Sequence, residues 1–188
     1  MRRRFLLAAA LAFPGVAQTE TPLEAQMRRM AGVRSRRSRF EEERALPELD
    51  VPIPYSGTLS WQAPDRLEKH TTSPIEERLT VAGPRLTWER PDRGQRQDFA
   101  LASQPEMAAL VEAVRATLAG DLATLQRHYD IRFDPAADGS WSLRLIPSSL
   151  RLRGMVQRLT LRGEGTEVLE VETQEGGGIS RMRIFPLP

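Results

Sequence analysis

The sequence predicts a mainly β fold with a minority of helices, in which a curved antiparallel sheet is combined with one helical segment. Three observations lead to this prediction. Short stretches of alternating apolar and polar residues recur along the chain, separated by turn residues. Residues 107–129 instead carry apolar side chains at helical spacing. The alternating stretches also hold more large apolar side chains than so few helical turns can cover.

The N-terminus has the composition of a signal peptide. Three arginines at residues 2–4 precede an apolar run at residues 5–13, which is too short to span a bilayer as a permanent helix. Small residues at 15–17 suit a signal peptidase, so we predict cleavage near Ala17, export to the periplasm and one domain over residues 18–188. We favour the general secretory route, with the twin-arginine route as the alternative.

Charge and cysteine content exclude several classes of protein. The chain has 27 basic and 25 acidic side chains, and loss of the three N-terminal arginines brings it close to neutrality. A nucleic-acid-binding role is therefore not indicated. The absence of cysteine excludes disulfides, thiol catalysis, thiolate metal sites and attachment of lipid to a cysteine. We expect a soluble monomer.

Helix-starting residues open the predicted structure. Thr21 can cap a helix, Pro22 suits its first position, and Glu24 completes a capping box. Gly32 is the predicted end of this helix. The charged run at residues 34–44 predicts a solvated strand or sheet edge, with a dedicated binding patch as the alternative.

A first set of strands follows, beginning with seven residues of strict alternation and a turn at Pro64-Asp65. The predicted strands are 55–61, 66–72, 79–81, 86–88 and 99–101, with a hairpin turn at 82–84. The helical segment has one apolar face made of Met107, Leu110, Val111, Val114 and Leu118. Gly120 and Asp121 end this helix and start a second one that continues to Tyr129.

The last third of the chain returns to strands. The predicted strands are 141–145, 159–161, 169–172 and 179–185. Three glycines at residues 176–178 could suggest a phosphate-binding loop, but such a loop leads into a helix. Because a strand follows here, we interpret the glycines as the turn of a terminal hairpin.

The sequence offers no convincing catalytic or metal-binding site. His70 and His128 lie in different predicted elements, without a partner at metal-ligand spacing. The Gly-x-Ser-x-Gly and His-Glu-x-x-His motifs are absent. The glutamates at 41–43 and 76–77 are poor candidates for a cooperating acid/base pair, because adjacent residues of a strand point to opposite faces, and pairing across strands stays open. We expect no enzyme, no catalytic residue, no metal and no cofactor, and a hydrolase is the disfavoured alternative.

The surplus of apolar strand surface leaves two interpretations open. In the first, the sheet buries it in an ordinary packed core; in the second, the sheet forms a partly open barrel whose concave face holds an apolar ligand. In the second case residues 107–129 would serve as a lid.

The order of the motifs resembles the LolA-type periplasmic lipoprotein carrier family. The relevant segments are SGTLSWQAPDRLEKHTTSP, EERLTVAGPRLTW, WSLRLIP and LTLRGEGTEVLEVETQEGGGISRMRI. More narrowly, the chain is similar to LolA-related proteins associated with RND/MMPL-type lipid exporters, over about residues 23–184. The resemblance implies an incomplete β-barrel closed by helices, which carries acyl chains of a lipid or lipoprotein from the inner to the outer membrane.

The same resemblance implies an inner-membrane exporter as donor, an outer-membrane acceptor and an apolar lining. The predicted lining of the sheet is Leu59, Trp61, Leu79, Val81, Leu86, Trp88, Phe99, Leu101, Trp141, Leu143 and Leu145, and that of the lid is Leu110, Val114 and Leu118. On this interpretation a charge at Leu143 would abolish lipid uptake without unfolding the protein.

One departure from the family pattern concerns the lid. The residue before the Pro64 turn is commonly an arginine that hydrogen-bonds the lid, and here it is Ala63. The aromatic residue common on the next strand corresponds to about Lys69. The departure predicts a lid that opens more easily. Two other hypotheses stay open, a lipid or lipoprotein sensor for envelope stress and a non-catalytic accessory subunit of a lipid exporter.

Overall fold

A computed structural model describes residues 19–45 and 51–188. The strands are β1 (Ser35–Arg44), β2 (Ile53–Gln62), β3 (Arg66–Ser73), β4 (Glu77–Ala82), β5 (Arg85–Arg90), β6 (Gln95–Ala100), β7 (Tyr129–Pro135), β8 (Ser140–Pro147), β9 (Val156–Glu164), β10 (Glu167–Glu175) and β11 (Gly178–Pro186). The helices are α1 (Pro22–Ala31), α2 (Pro105–Ala119), α3 (Leu122–His128) and α4 (Leu150–Arg153), with 3-10 turns at Pro91–Arg93 and Leu101–Ser103. The predicted signal peptide lies outside the described residues.

All eleven strands of the described ranges form one antiparallel sheet. Their order is β6-β5-β4-β3-β2-β1-β11-β10-β9-β8-β7, so β6 and β7 are the two edges and the sheet is open. β1 and β11 form the central pair, from Ser38 opposite Pro186 to Arg44 opposite Ser180. The predicted class, a mainly β protein with an incomplete antiparallel barrel and a helical part, is confirmed.

The two ends of the strands form two rims. We call one the Pro64 rim, made of the loops at 63–65, 83–84, 136–139 and 165–166. The opposite one is the Leu150 rim, made of the loops at 74–76, 91–94, 148–155 and 176–177. The concave face between the rims is the one that carries Trp61, Leu86 and Leu143, because cross-strand partners in register share a face.

The helices pack over the concave face in two clusters of buried apolar residues. The larger cluster joins α1, α2 and α3 to the C-terminal strands, through residues such as Met30, Ala113 and Leu143. The smaller cluster joins α2 to β4 and β5 and consists of Val81, Leu86 and Leu101 with partly buried neighbours. α2 therefore lies between the two halves of the sheet.

Local signals in the sequence place the first helices correctly. Thr21 and Glu24 form the predicted capping box, with the Glu24 N–H donating to Thr21 Oγ1 over 3.2 Å. Gly120 ends α2 in a left-handed conformation, with φ of 69°. A Cβ atom at this position would lie 2.1 Å from the carbonyl oxygen of Met27, so only glycine lets α2 approach α1 this closely.

Four expectations need correction. The charged strand at 34–44 is not an edge: β1 is central, because the C-terminal strand β11 pairs with it. Tyr129 starts β7, which the prediction missed along with α4. Leu101 belongs to a 3-10 turn and not to a strand. The buried face of α2 is formed by Ala109, Ala113 and Ala116, since small side chains allow close packing.

Candidate functional site

The predicted lining residues fall into two groups according to burial. Those that are buried are Trp61, Val81, Leu86, Leu101, Trp141, Leu143 and Leu145. Those that are half-buried are Leu59, Leu79, Trp88, Phe99, Leu110, Val114 and Leu118. The half-buried strand residues of this list all lie on β2 to β6. Four apolar residues outside the list, Ile131, Phe133, Val171 and Ile184, are half-buried on the same face of the C-terminal strands.

The concave face is a closed core on β8 and β9. Leu143 and Leu145 have no exposed surface, and they alternate on β8 with Trp141, which is also buried. They pack in the larger cluster with the alanine face of α2. Side chains packed this closely have no free surface to offer a ligand.

The N-terminal half keeps apolar surface open. Leu79 on β4 stands opposite Trp88 on β5 and, on its other side, opposite Lys69 on β3. Leu59 on β2 continues the same row beyond Lys69. These apolar side chains are half-buried, whereas Leu86, one row further toward the Pro64 rim, is buried. This row forms the apolar floor of the candidate site.

α2 is tied to both halves of the sheet by hydrogen bonds. The Tyr129 hydroxyl donates to the Ala109 carbonyl over 2.9 Å and anchors α2 to β7. Burial raises the pKa of Tyr129, which keeps its phenol protonated. On the opposite side Arg115 Nη1 donates to the Gly83 carbonyl over 2.9 Å, in the turn between β4 and β5. Glu112 holds the same guanidinium in place.

A buried ionic cluster interrupts the floor of the concave face. The Glu42 carboxylate accepts hydrogen bonds from Lys69 Nζ, from Arg44 Nε over 2.8 Å and from Ser180 Oγ over 2.9 Å. Burial tends to raise the pKa of Glu42, but the bonds from Arg44 and the charge of Lys69 outweigh it and hold the pKa below its usual range. Burial lowers the pKa of Lys69, against the opposing effect of Glu42.

Sequence reasoning missed Glu42, Lys69 and Arg115. A signal for the first existed, since Glu42 follows Phe40 at a spacing of two and therefore shares its buried face. Lys69 stands beside Leu59 only through the register of β2 and β3, which no local pattern shows. Arg115 looked like one of many surface arginines, because its partner is a backbone carbonyl 32 residues away.

Ala63 lies in the turn where the sheet approaches α2 and α3. Its turn contributes Pro64 and Asp65 to a cleft of about 410 Å³, whose opposite wall is formed by α2 and α3. The cleft is lined by Pro64, Asp65, Glu112, Arg115, Ala116, Ala119, Asp121, Thr124, Arg127 and His128. Its walls are strongly charged, in contrast to the apolar floor.

The described residues contain no helix with the length and hydropathy needed to span a membrane. Within the same ranges no three His, Asp or Glu side chains are grouped so that they could hold a metal ion.

Comparison with protein families gives a match over most of the chain. The family described as outer membrane lipoprotein carrier protein LolA-like matches residues 18–183. A search of curated protein sequences finds no match.

Several solved structures are similar to this chain at low sequence identity. A LolA superfamily protein, NE2245 from Nitrosomonas europaea, is 12% identical, with 88% of this chain and 92% of that chain covered and a TM-score of 0.43. An outer membrane lipoprotein-sorting protein domain from Vibrio parahaemolyticus is 8% identical, with 88% and 89% covered and a TM-score of 0.43. A chain of the Pseudomonas aeruginosa MucA/MucB complex is 12% identical, with 87% of this chain but only 56% of that chain covered and a TM-score of 0.48.

Proposed function

This chain belongs to the LolA-like family of outer membrane lipoprotein carrier proteins, and we propose that it is a non-catalytic carrier that binds the acyl chains of a lipid or lipoprotein. The ligand would lie on the apolar floor of β2 to β5, beneath α2. The observation that carries the proposal is the half-buried apolar row on β2, β4 and β5. Leu59, Leu79 and Trp88 keep apolar surface free, while Leu143, Leu145 and Leu161 on β8 and β9 are packed.

Half-buried apolar surface suits acyl chains on energetic grounds. Each buried methylene group is worth about 0.8 kcal/mol, so a long acyl chain needs an apolar partner to stay in solution. On α2, Ala108 and Val111 are half-buried against the smaller cluster beside this floor, whereas Leu110 and Leu118 pack against the larger cluster. A chain inserted between α2 and the floor would cover Val111 and the floor at once.

Release of the ligand requires α2 to move, and the contacts of α2 support movement on one side. On the C-terminal side, α2 is held by the larger cluster and by the Tyr129 hydroxyl. On the N-terminal side it is held by the smaller cluster and by the bond from Arg115 to the Gly83 carbonyl. α2 would therefore swing away from β4 and β5 and stay attached to β7 and β8.

The proposed location is the periplasm, reached through a signal peptide over residues 1–17. The sequence order shared with LolA-related proteins of lipid exporters supports an RND/MMPL-type inner-membrane exporter as the donor. Ala63 supports this kind of donor. Without an arginine at position 63 the lid lacks the hydrogen bonds that such a residue would make, so less force is needed to open it. An outer-membrane component would accept the lipid.

The decisive experiment is native mass spectrometry of protein purified from its own periplasm, followed by organic extraction. We expect acyl-containing lipid in stoichiometric amount, and uptake of a fluorescent fatty-acyl probe by the delipidated protein. A clean apo mass together with no probe uptake would contradict the carrier function and favour an accessory subunit that uses its apolar surface to dock a protein.

A further inference from the structure

Two buried donors on the concave face have no acceptor among the described residues. They are the indole Nε1 of Trp61 on β2 and the Nη2 of Arg36 on β1. Trp61 is 3% exposed and the Arg36 side chain 11% exposed, so bulk water does not satisfy either group in this structure. A buried donor without a partner is rare in folded proteins, because burial costs it the hydrogen bonds that water supplied.

The two donors belong together. Arg36 and Trp61 are directly opposite each other in the register of β1 and β2, and residues that are opposite in an antiparallel pair share a face. Both stand at the end of the sheet that forms the Pro64 rim. The two other unpaired donors, Nε of Arg78 and of Arg158, lie on the convex face and are not neighbours of this pair.

A second tryptophan shows that the sheet can satisfy such a group. The indole N–H of Trp141 donates to the Gly165 carbonyl over 3.0 Å, and Gln26 Nε2 donates to the same carbonyl over 2.7 Å. The Gly165 turn belongs to the Pro64 rim as well. Trp61 is therefore left without an acceptor in a region where other donors find one.

Arg36 is only partly neutralised. Its Nη1 donates to the Glu167 carboxylate over 3.2 Å, and that carboxylate is 43% exposed. Burial lowers the pKa of Arg36, and the charge of Glu167 offsets this effect only in part. A buried guanidinium with a free nitrogen favours an anionic oxygen over a neutral one.

The free apolar surface lies on one side of the two donors. Leu59 precedes Trp61 by two residues on β2, and its row, with Leu79 and Trp88, lies toward the Leu150 rim. The charged cleft of about 410 Å³, with Asp65, Glu112 and Arg115 in its walls, lies at the Pro64 rim. A ligand whose polar end meets the two donors therefore extends its apolar end toward the Leu150 rim.

We propose that Trp61 and Arg36 donate hydrogen bonds to anionic oxygens, carboxylate or phosphate, at the polar end of the bound lipid. The lipid then lies with this end at the Pro64 rim and its acyl chains toward the Leu150 rim. The inference rests on the proposed carrier function and adds to it the class of head group and the orientation of the cargo. Because both donors are covered in this structure, the lipid reaches them after α2 has moved.

The test compares three ligands that share one sixteen-carbon chain: hexadecanoate, its uncharged methyl ester and hexadecyl phosphate. Each displaces a fluorescent acyl probe from the delipidated protein, with the anions below their critical micelle concentrations and the ester below its solubility limit. We expect at least one of the two anions to bind about tenfold more tightly than the ester, since bonds to charged groups are the stronger ones. The anion that binds more tightly identifies the source, a carboxylate or a phosphate.

Two substitutions remove the donors one at a time. Trp61→Phe removes the indole N–H and keeps an apolar ring, while Arg36→Met removes the guanidinium and keeps an apolar stem. Each should reduce the preference for the anion over the ester to threefold or less. Arg37→Gln is the matched control, because this exposed neighbour on β1 points to the opposite face and should keep the full preference.

A measurement that does not depend on the variants' stability uses the indole N–H resonance of Trp61, observed by NMR in the wild-type protein. It should move downfield on addition of the preferred anion. The inference would be overturned if the wild type bound all three ligands with equal affinity, or if both variants kept the preference for the anion. Buried water would then be the acceptor of the two donors. Failure of every ligand to bind would overturn the carrier function itself, a result distinct from binding without preference.

Discussion

At the scale of single residues, the ion pair of Glu42 and Lys69 is the most consequential feature of the concave face. Breaking a buried pair by removing one partner costs about 3–5 kcal/mol, whereas replacing both partners with apolar residues is often neutral or stabilising. We therefore expect Glu42→Gln to lower the free energy of unfolding by several kcal/mol and Glu42→Met with Lys69→Met to restore it. Denaturant titration measures both.

The control for this pair is Glu41→Gln, since Glu41 pairs with Arg183 on the convex face and is 53% exposed. Such a pair is worth roughly 0–1 kcal/mol.

The pH dependence of unfolding provides a second check of the role of Glu42. Because the pKa of Glu42 is lowered in the folded state, its contribution is present above the unfolded value of about 4.3 and is lost as the pH falls through the folded value. If Glu42→Gln lowered the free energy of unfolding by the same amount at neutral and at low pH, the ionised Glu42 carboxylate would not be the stabilising group.

For Tyr129 we predict the opposite pH dependence, with a loss of stability at alkaline pH. Its raised pKa means that the folded state holds the phenol proton more tightly than the unfolded state does. Its contribution to stability is complete below the unfolded pKa of about 10 and is lost above it, at up to about 1.4 kcal/mol per pH unit until the folded value is reached.

Tyr129→Phe should therefore cost about 1 kcal/mol at pH 7, through the lost bond to the Ala109 carbonyl. It should make the protein more resistant than the wild type to unfolding near pH 11 and above. Thermal unfolding across this pH range gives the comparison. Parallel stability curves for the two proteins would show that Tyr129 does not control alkaline unfolding.

At the scale of elements, Arg115 fastens α2 to the hairpin of β4 and β5. A charge-assisted bond is worth roughly 1.5–3 kcal/mol, or about tenfold or more in an equilibrium between closed and open lid. Arg115→Met should thus speed release of a bound acyl probe about tenfold, as measured by stopped-flow fluorescence. Arg85→Met, an exposed change on the same hairpin, is the control. Equal release rates for Arg115→Met and the control would remove Arg115 from the lid mechanism.

The turn between β2 and β3 offers a converse experiment. Ala63→Arg places a guanidinium beside the charged cleft, where Glu112 of α2 forms part of the opposite wall. We expect slower probe release, because a second bond between sheet and lid favours the closed state. Release as fast as in the wild type, with closure of the lid verified by protection of α2 from hydrogen exchange, would show that this turn has no part in retention.

At the scale of the whole molecule, the two halves of the concave face should respond differently to substitution. Leu79→Gln changes the half-buried floor and should weaken acyl-probe binding at little cost in stability. Leu143→Ala leaves a cavity in the closed core and should cost about 2–5 kcal/mol. A charge at Leu143 should then unfold the protein, which revises the expectation from the sequence. Retention of the fold by Leu143→Arg would show instead that the C-terminal half can open to a ligand.

Local patterns in the sequence determined most of the elements. The capping box of Thr21 and Glu24, the stop at Gly120 and the alternation in β2 and β8 depend on neighbours within a few residues, so their positions could be predicted. The family and the fold class could be predicted as well, because both rest on the order of such elements along the chain.

The tertiary structure alone decided which apolar residues form the core and which stay open. Leu79 and Leu143 have the same pattern of alternation, and only the packing of α2 against the C-terminal strands distinguishes them. The central place of β1 follows from pairing with a strand about 140 residues later, and the registers of β1, β2 and β3 bring Glu42 to Lys69 and Arg36 to Trp61. Burial, ion pairing and unpaired donors arise from these distant contacts, and no local pattern carries information about them.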